Sequence, residues 1–176
     1  MSKIVLITGG RRSGKSRFAE QYALRLSSSP VYLATGVRTD EEFAARIERH
    51  QRERDKRFMT VEEPLQVGEV LKKREKEVIL WECMTTWLAN RFYALEWRMD
   101  EEDEKTVYHD LFSWMECVRQ RDHTLLVVTN EVGLGIIPAD EVSRRYSDVL
   151  GRCNQMVASV ADEVYFLVSG IAWRLR

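Results

Sequence analysis

Cysteine is scarce in this 176-residue chain, and its three occurrences, Cys83, Cys117 and Cys153, are widely spaced and odd in number. That excludes a disulfide framework and the close-spaced zinc patterns, and leaves reduced thiols of a cytoplasmic protein as the expectation. No apolar run nears the ~20 residues that span a bilayer, so no membrane insertion is expected. A surplus of one charge is missing too: 27 Lys and Arg stand against 28 Asp and Glu, a net charge of −1. A broad nucleic-acid-binding surface is therefore not expected. There is no internal repeat, low-complexity tract or linker, and the chain opens on strand and turn rather than on a signal peptide. What is left is an ordinary globular composition, 44% hydrophobic and 31% charged. Its length suits a single domain over residues 1–176.

The feature that decides most is Gly9-Gly10-Arg11-Arg12-Ser13-Gly14-Lys15-Ser16, directly after the apolar run Ile4-Val5-Leu6-Ile7. A Gly, four free positions and Gly-Lys-Ser is the spacing of a phosphate-binding loop. Gly9 and Gly14 let the backbone turn so that successive N–H groups face phosphate oxygens. Lys15 brings a mobile charge to the β- and γ-phosphates, and the Ser16 hydroxyl is placed to ligate Mg²⁺. The helix expected over Lys15–Leu26 points its positive end at the anion.

Strand-length apolar runs recur at Lys3–Thr8, Val31–Ala34, Val78–Glu82, Leu125–Thr129 and Val164–Val168, with a further short one at Phe58–Val61. Most are continuous rather than alternating, as in strands covered on both faces. Helical segments separate them: Asp40–Arg54, Leu65–Arg74, Thr85–Trp97, Glu101–Arg121 and Asp140–Ala161. The expectation is an α/β fold with a mostly parallel sheet and helices on both faces. Ligands then bind at the carboxyl ends of the strands, which singles out Ala34-Thr35-Gly36, Glu82-Cys83, Thr129-Asn130-Glu131 and Ser169-Gly170. Arg98–Glu104 reads as a polar, mobile surface connection.

Two constellations stay open on pattern alone. Phe43, Ile47, His50 and Arg54 share one helix face, with Arg46 a turn before His50. The stretch Arg38–Arg57 carries seven basic and six acidic side chains, so it is either a solvated, salt-bridged helix or the mount of a nucleophilic imidazole flanked by guanidinium groups. Glu82 closes a strand where a Mg²⁺-holding carboxylate often sits; the alternative is an acid favoured by the following helix dipole. Thr129–Gly135 supplies a carboxamide, a carboxylate and two glycines, too rich in site chemistry for a plain connector. His109 and His123 read as ordinary surface or core residues. Trp87, Trp97, Trp114 and Trp173 read as core or subunit contacts.

Taken in order, the pieces resemble one family, the bifunctional adenosylcobinamide kinase/adenosylcobinamide-phosphate guanylyltransferases. They are Ile7-Thr8-Gly9-Gly10 with Ser13-Gly14-Lys15-Ser16, Tyr32-Leu33-Ala34-Thr35, Ala45-Arg46-Ile47-X-X-His50, Glu82-Cys83-Met84-Thr85, Thr129-Asn130-Glu131-Val132-Gly133, Gly151-Arg152-X-Asn154-Gln155, and Ala161-Asp162-Glu163-Val164 leading to Ser169-Gly170-Ile171. The resemblance implies a RecA-like phosphate-loop fold and two reactions. A nucleoside triphosphate, ATP or GTP, phosphorylates the aminopropanol hydroxyl of adenosylcobinamide. GMP then passes from GTP to that phosphate, giving adenosylcobinamide-GDP and pyrophosphate.

It further implies a covalent guanylate on His50 and nucleotide contacts from the loop Gly9–Ser16. More contacts would come from Ala34, Thr35 and Gly36, from Gln51, Arg52, Glu53 and Arg54, and from Glu62 (or Glu63) and Glu82. Mg²⁺ would be held at Ser16 and Glu82, and the protein would be a homo-oligomer, a trimer. Arg11 stands where the family commonly has a small residue, Glu82 where many members have Asp, and the C-terminal stretch lacks a proline often found there. A simple phosphate-loop kinase with His50 a bystander, or a nucleotide-binding switch, would share the loop but not the labelled protein that a covalent transferase forms.

Overall fold

Residues 1–37 and 41–176 are described by a computed structural model of the chain, the side chains of Phe43 and Arg46 apart. The expected helix start at Asp40 falls outside them.

In chain order the elements are β1 (Lys3–Gly9), α1 (Lys15–Leu26), β2 (Val31–Ala34), α2 (Glu41–Glu53), β3 (Met59–Glu62), α3 (Val67–Lys72) and β4 (Val78–Glu82), then α4 (Met84–Ala94), α5 (Glu101–Gln120), β5 (Thr124–Val128), α6 (Glu141–Val160), β6 (Glu163–Val168) and β7 (Ile171–Arg174). They form one seven-stranded sheet in the order β3-β2-β4-β5-β1-β6-β7. Every pairing is parallel except β6–β7. The all-apolar run of β1 explains itself here. Val5 and Ile7 pack on the α1 side with Ala19 and Ala23, while Ile4 and Leu6 pack on the other side with residues of α3, α4, α5 and α6. Both faces of the sheet are covered, as the continuous strands require.

On the broader side, Trp81, Trp87 and Trp114 meet edge to face, with centroids 5.0 to 5.8 Å apart. A Cβ at Gly68 would overlap the Trp114 ring, which is why α3 carries a glycine there. His123 is fully buried; its Nδ1 accepts from the Glu77 N–H at 3.2 Å and its Nε2 lies 3.0 Å from the Leu71 carbonyl. It is a core histidine clamping α3 to the neighbouring strands. His109 is exposed. Trp97 and Trp173 are 43% and 65% exposed, in contrast to the buried Trp87 and Trp114.

Two expectations change. The supposed mobile connection Arg98–Glu104 is a helix start: Asp100 and Asp103 form a reciprocal capping box, and four acids fill the first turn of α5. Acids are favoured at that positive end. The other change is β7, a strand absent from the expectation. Ser169 and Gly170, at φ 51° and 80°, make a two-residue hairpin turn with both central residues left-handed, so the chain folds back along β6. No helix among the described residues is long and apolar enough to cross a membrane.

Candidate active site

The loop between β1 and α1 is shaped by contacts that only glycine tolerates. At Gly9 (φ 152°) a Cβ would lie 2.5 Å from the Leu167 carbonyl oxygen. Gly14 is left-handed at φ 94°, and a Cβ there would come within 3.1 Å of Gly170 Cα. The β6–β7 turn thus buttresses the loop from outside, and the Gly170 N–H donates to the Ser13 carbonyl at 2.8 Å. No side chain caps α1 and no acid occupies its first turn, so its N–H groups remain available to an anion.

Lys15 is only 7% exposed, its Nζ donating to the Gly10 carbonyl at 2.6 Å. Next to it the Ser16 hydroxyl donates to Glu82 Oε1 at 2.9 Å. Burial pushes the Glu82 carboxyl up to about 7, against the Ser16 hydrogen bond, which favours the charged form; Glu20 adds to the rise, while Lys15 and Arg54 oppose it. The side chain is partly exposed, yet its Oε2 is buried without a partner. A hydroxyl touching a carboxylate that has one orphaned oxygen is a donor pair suited to Mg²⁺, a hard cation that takes few protein ligands alongside substrate phosphates. No cluster of three or more His, Cys, Asp or Glu side chains that could cage a metal exists among the described residues.

Behind this pair, buried polar side chains lock the strand ends together. Thr35 Oγ1 accepts from the Cys83 N–H at 2.9 Å and donates to the Cys83 carbonyl, also at 2.9 Å. Asn90 donates to the carbonyls of Thr35 and Pro64. Thr129 donates to Asn154 Oδ1, Asn154 donates to the Asn130 carbonyl, and the Asn130 N–H donates to Thr85 Oγ1. Both backbone groups of Asn130 are thereby held. Such satisfied networks fix geometry at a site, and they account for Asn154 and Thr85, whose place in the sequence pattern pointed to no contact.

The opposite wall is α2. Ile47, Arg49, His50, Gln51 and Glu53 line the same cleft of about 620 Å³ as Arg11, Arg12, Ser13, Gly14, Lys15 and Ser16, with Ala34, Gly36, Glu62 and Glu82 between them. His50 is exposed on this helix. The end of α2 is tied to the sheet: Gln51 donates to Glu62 Oε1 at 2.8 Å, and Arg54 stacks 3.4 Å from the Tyr32 ring centroid while donating to Thr60.

Among the residues singled out from sequence, Gly9 and Gly10 are not among those that line the cleft. Thr35 is fully buried, Arg54 is engaged with Tyr32, and Arg52 is exposed and does not line the cleft. Glu63 accepts the Leu65 and Gln66 N–H groups, which leaves Glu62 as the acid facing the cleft. Residues of the cleft that were not among the expected nucleotide contacts are Arg17, Tyr32, Arg49, Cys83, Thr86, Val128 and Asn130. Strand-end position flagged Cys83 and Asn130, and the charged helix included Arg49; nothing local marks Tyr32, whose role is seen only with Arg54 upon it.

A parallel sheet with a glycine-built anion cradle, a buried lysine and a Ser–Glu pair at the strand ends defines a phosphate-loop nucleotide enzyme. The crystal structure of the RadB recombinase aligns with a TM-score of 0.50 at 15% identity over 93% of this chain and 73% of that one, a likeness of fold alone. A sequence model of the family described as cobinamide kinase / cobinamide phosphate guanyltransferase matches residues 5–175. The bifunctional adenosylcobalamin biosynthesis protein CobU of Escherichia coli (strain K12) is 35% identical over 181 residues, covering 98% of this chain and 99% of its own. The corresponding CobP protein of Pseudomonas aeruginosa is 35% identical over 174 residues, covering 97% and 96%. The chain belongs to this family: it is a cobinamide kinase and cobinamide phosphate guanylyltransferase of adenosylcobalamin biosynthesis.

Proposed function

We propose that both reactions run in the one cleft, and that His50 is the covalent carrier of the second. In the kinase step the hydroxyl oxygen of adenosylcobinamide attacks the γ-phosphorus of ATP or GTP. The bond to the β-phosphate oxygen breaks, and the nucleoside diphosphate leaves. In the transfer, a neutral His50 nitrogen attacks the α-phosphorus of GTP and expels pyrophosphate. A phosphate oxygen of adenosylcobinamide phosphate then attacks the same phosphorus, the P–N bond breaks, and His50 is restored. Splitting one displacement into two through a reactive phosphoramidate is the general advantage of covalent catalysis.

The observation that carries this reading is that His50, Lys15 and Ser16 line a single cleft. The backbone of Gly9–Ser16 cradles the phosphates, and Lys15 neutralises charge that builds on the transferring group. Ser16 and Glu82 would hold Mg²⁺, which would supply positive charge to offset that of the phosphates. Glu62, which accepts from Gln51 and lines the cleft, would accept the guanine N1–H and exocyclic amine together, the basis of a preference for GTP. We also infer a homo-oligomer, a trimer; the uncovered hairpin face of Val168, Ile171 and Trp173, 51%, 72% and 65% exposed, supports a contact between copies.

The test is incubation with GTP labelled at the α-phosphate and Mg²⁺. The expected result is acid-labile, alkali-stable label on the protein, abolished by His50→Ala. Undiminished label in that variant removes His50 from the role, and a protein that takes no label at all is a kinase or a switch without the covalent transfer.

A further inference from the structure

Between Asn130, on the cleft wall, and the start of α6 runs Val132-Gly133-Leu134-Gly135-Ile136-Ile137, a segment that neither the nucleotide nor the core uses. Its apolar side chains face outward: Val132 is 41% exposed, Leu134 76%, Ile136 98% and Ile137 79%. Four large apolar groups in water within six residues need a partner. The segment is not a loose end. At its root the Glu131 N–H donates to the carbonyl of Gly9, the first glycine of the phosphate loop, at 3.0 Å, and Glu131 Oε1 accepts from the Gly133 N–H. At its far end Arg144 Nη1 grips the carbonyls of Pro138 and Ala139 at 3.0 and 2.6 Å. Between those anchors the chain turns at Gly133 and Leu134 and forms neither helix nor strand before α6.

The acceptor of both reactions is a corrin macrocycle, broad and apolar across its faces and rimmed by primary carboxamides. Pockets of roughly 300–1,000 Å³ hold one drug-sized ligand, so a cleft of about 620 Å³ that takes a nucleoside triphosphate has no room for the macrocycle as well. Only the aminopropanol arm can enter; the ring must rest on the rim. We propose that Val132–Ile137 is the platform for the ring. Its side chains lie against the apolar face of the macrocycle, and backbone N–H and C=O groups beside them meet the peripheral carboxamides. Continuity with the cleft through Asn130 and Glu131 favours the corrinoid over a second copy of the chain as occupant, and the apolar hairpin face of β6–β7 is a separate surface. The proposal rests on the kinase and transferase reading of the cleft, though not on His50.

The experiment compares the wild-type protein with Ile136→Ser/Ile137→Ser and, separately, Leu134→Ser; these exposed positions leave the core intact. The kinase KM for adenosylcobinamide should rise about tenfold or more, the scale of a lost apolar contact, with kcat little changed. Phosphorylation of free 1-amino-2-propanol, which has no ring, should be the same in variants and wild type, as should labelling of the protein by α-labelled GTP. An unchanged KM for adenosylcobinamide in both variants overturns the platform. So does an equal loss with the ringless acceptor, or a changed assembly mass in light scattering with KM unmoved, which would assign the segment to a second copy. Failure of wild-type protein to take label would count against His50 alone, since the kinase KM decides the platform without it.

Discussion

Lys15 sits 7% exposed with its ammonium on a loop carbonyl, in a turn whose glycines are pressed against Leu167 and Gly170; His50 faces it from a helix whose described polar side chains are all exposed. The first wall is finished before substrate arrives, since its conformation follows from backbone contacts and from the Thr35 and Asn130 networks behind it. The second is a charged helix fastened to the sheet near its end by Gln51–Glu62 and Arg54–Tyr32. The contrast suits the proposed pair of displacements, one at the γ-phosphorus of a first triphosphate and the other at the α-phosphorus of a second. In the proposed mechanism the cradle holds phosphates for both reactions, while the nucleophile belongs to one alone.

The comparison breaks first at Lys15. Lys15→Ala should lower kcat/KM of both activities by several kcal/mol of transition-state stabilisation, the scale for a charge on the transferring group, measured by separate assays of phosphorylation and guanylyl transfer. Near-normal turnover in either assay would mean that the cradle does not serve it.

Glu82 sharpens the same wall through pH. The folded protein holds its proton to about 7, whereas the ordinary value is 4.5. The folded state therefore binds more protons than the unfolded chain between those values, and the contribution of this group to stability falls as pH rises from 4.5 to about 7, then stays flat. Glu82→Gln should make the metal-free protein more stable at pH 8 by about 2 kcal/mol, discounted for partial exposure, and remove that pH dependence from its urea midpoint. Its Mg²⁺ requirement should worsen at the same time. In the wild type, Mg²⁺ affinity should rise with pH up to about 7, as titration calorimetry would register.

The smallest effect lies at the hinge of the second wall. Arg54→Ala removes a cation–π contact worth about 1 kcal/mol and should slow guanylylation of the protein by GTP about fivefold, more than it slows the kinase step. An equal decrease in both would place Arg54 on the nucleotide rather than under the helix.

How much of this could be read from the chain follows the same division. The phosphate loop, its strand and helix, and Glu82 at a strand end are local patterns, since glycine spacing and an apolar run carry their own geometry. The second wall is not local. Successive residues of α2 differ by about 100° in direction, so whether Gln51 or Arg52 faces the nucleotide depends on how the helix is pinned, and the pins, Tyr32 and Glu62, are remote in sequence. The Thr85–Thr129–Asn154–Asn130 chain joins three elements and has no spacing to betray it. For the hairpin to β7, Ser169-Gly170 is a turn pair, but Ile171–Arg174 is short and mostly exposed, with no buried run to mark it as a strand.

Both activities of His50→Ala, measured side by side on the same preparation, test the division of labour most directly. The account predicts that adenosylcobinamide is still phosphorylated within a few-fold of the wild-type rate while no adenosylcobinamide-GDP is formed. Persistent guanylyl transfer, or loss of the two activities in equal measure, would contradict it.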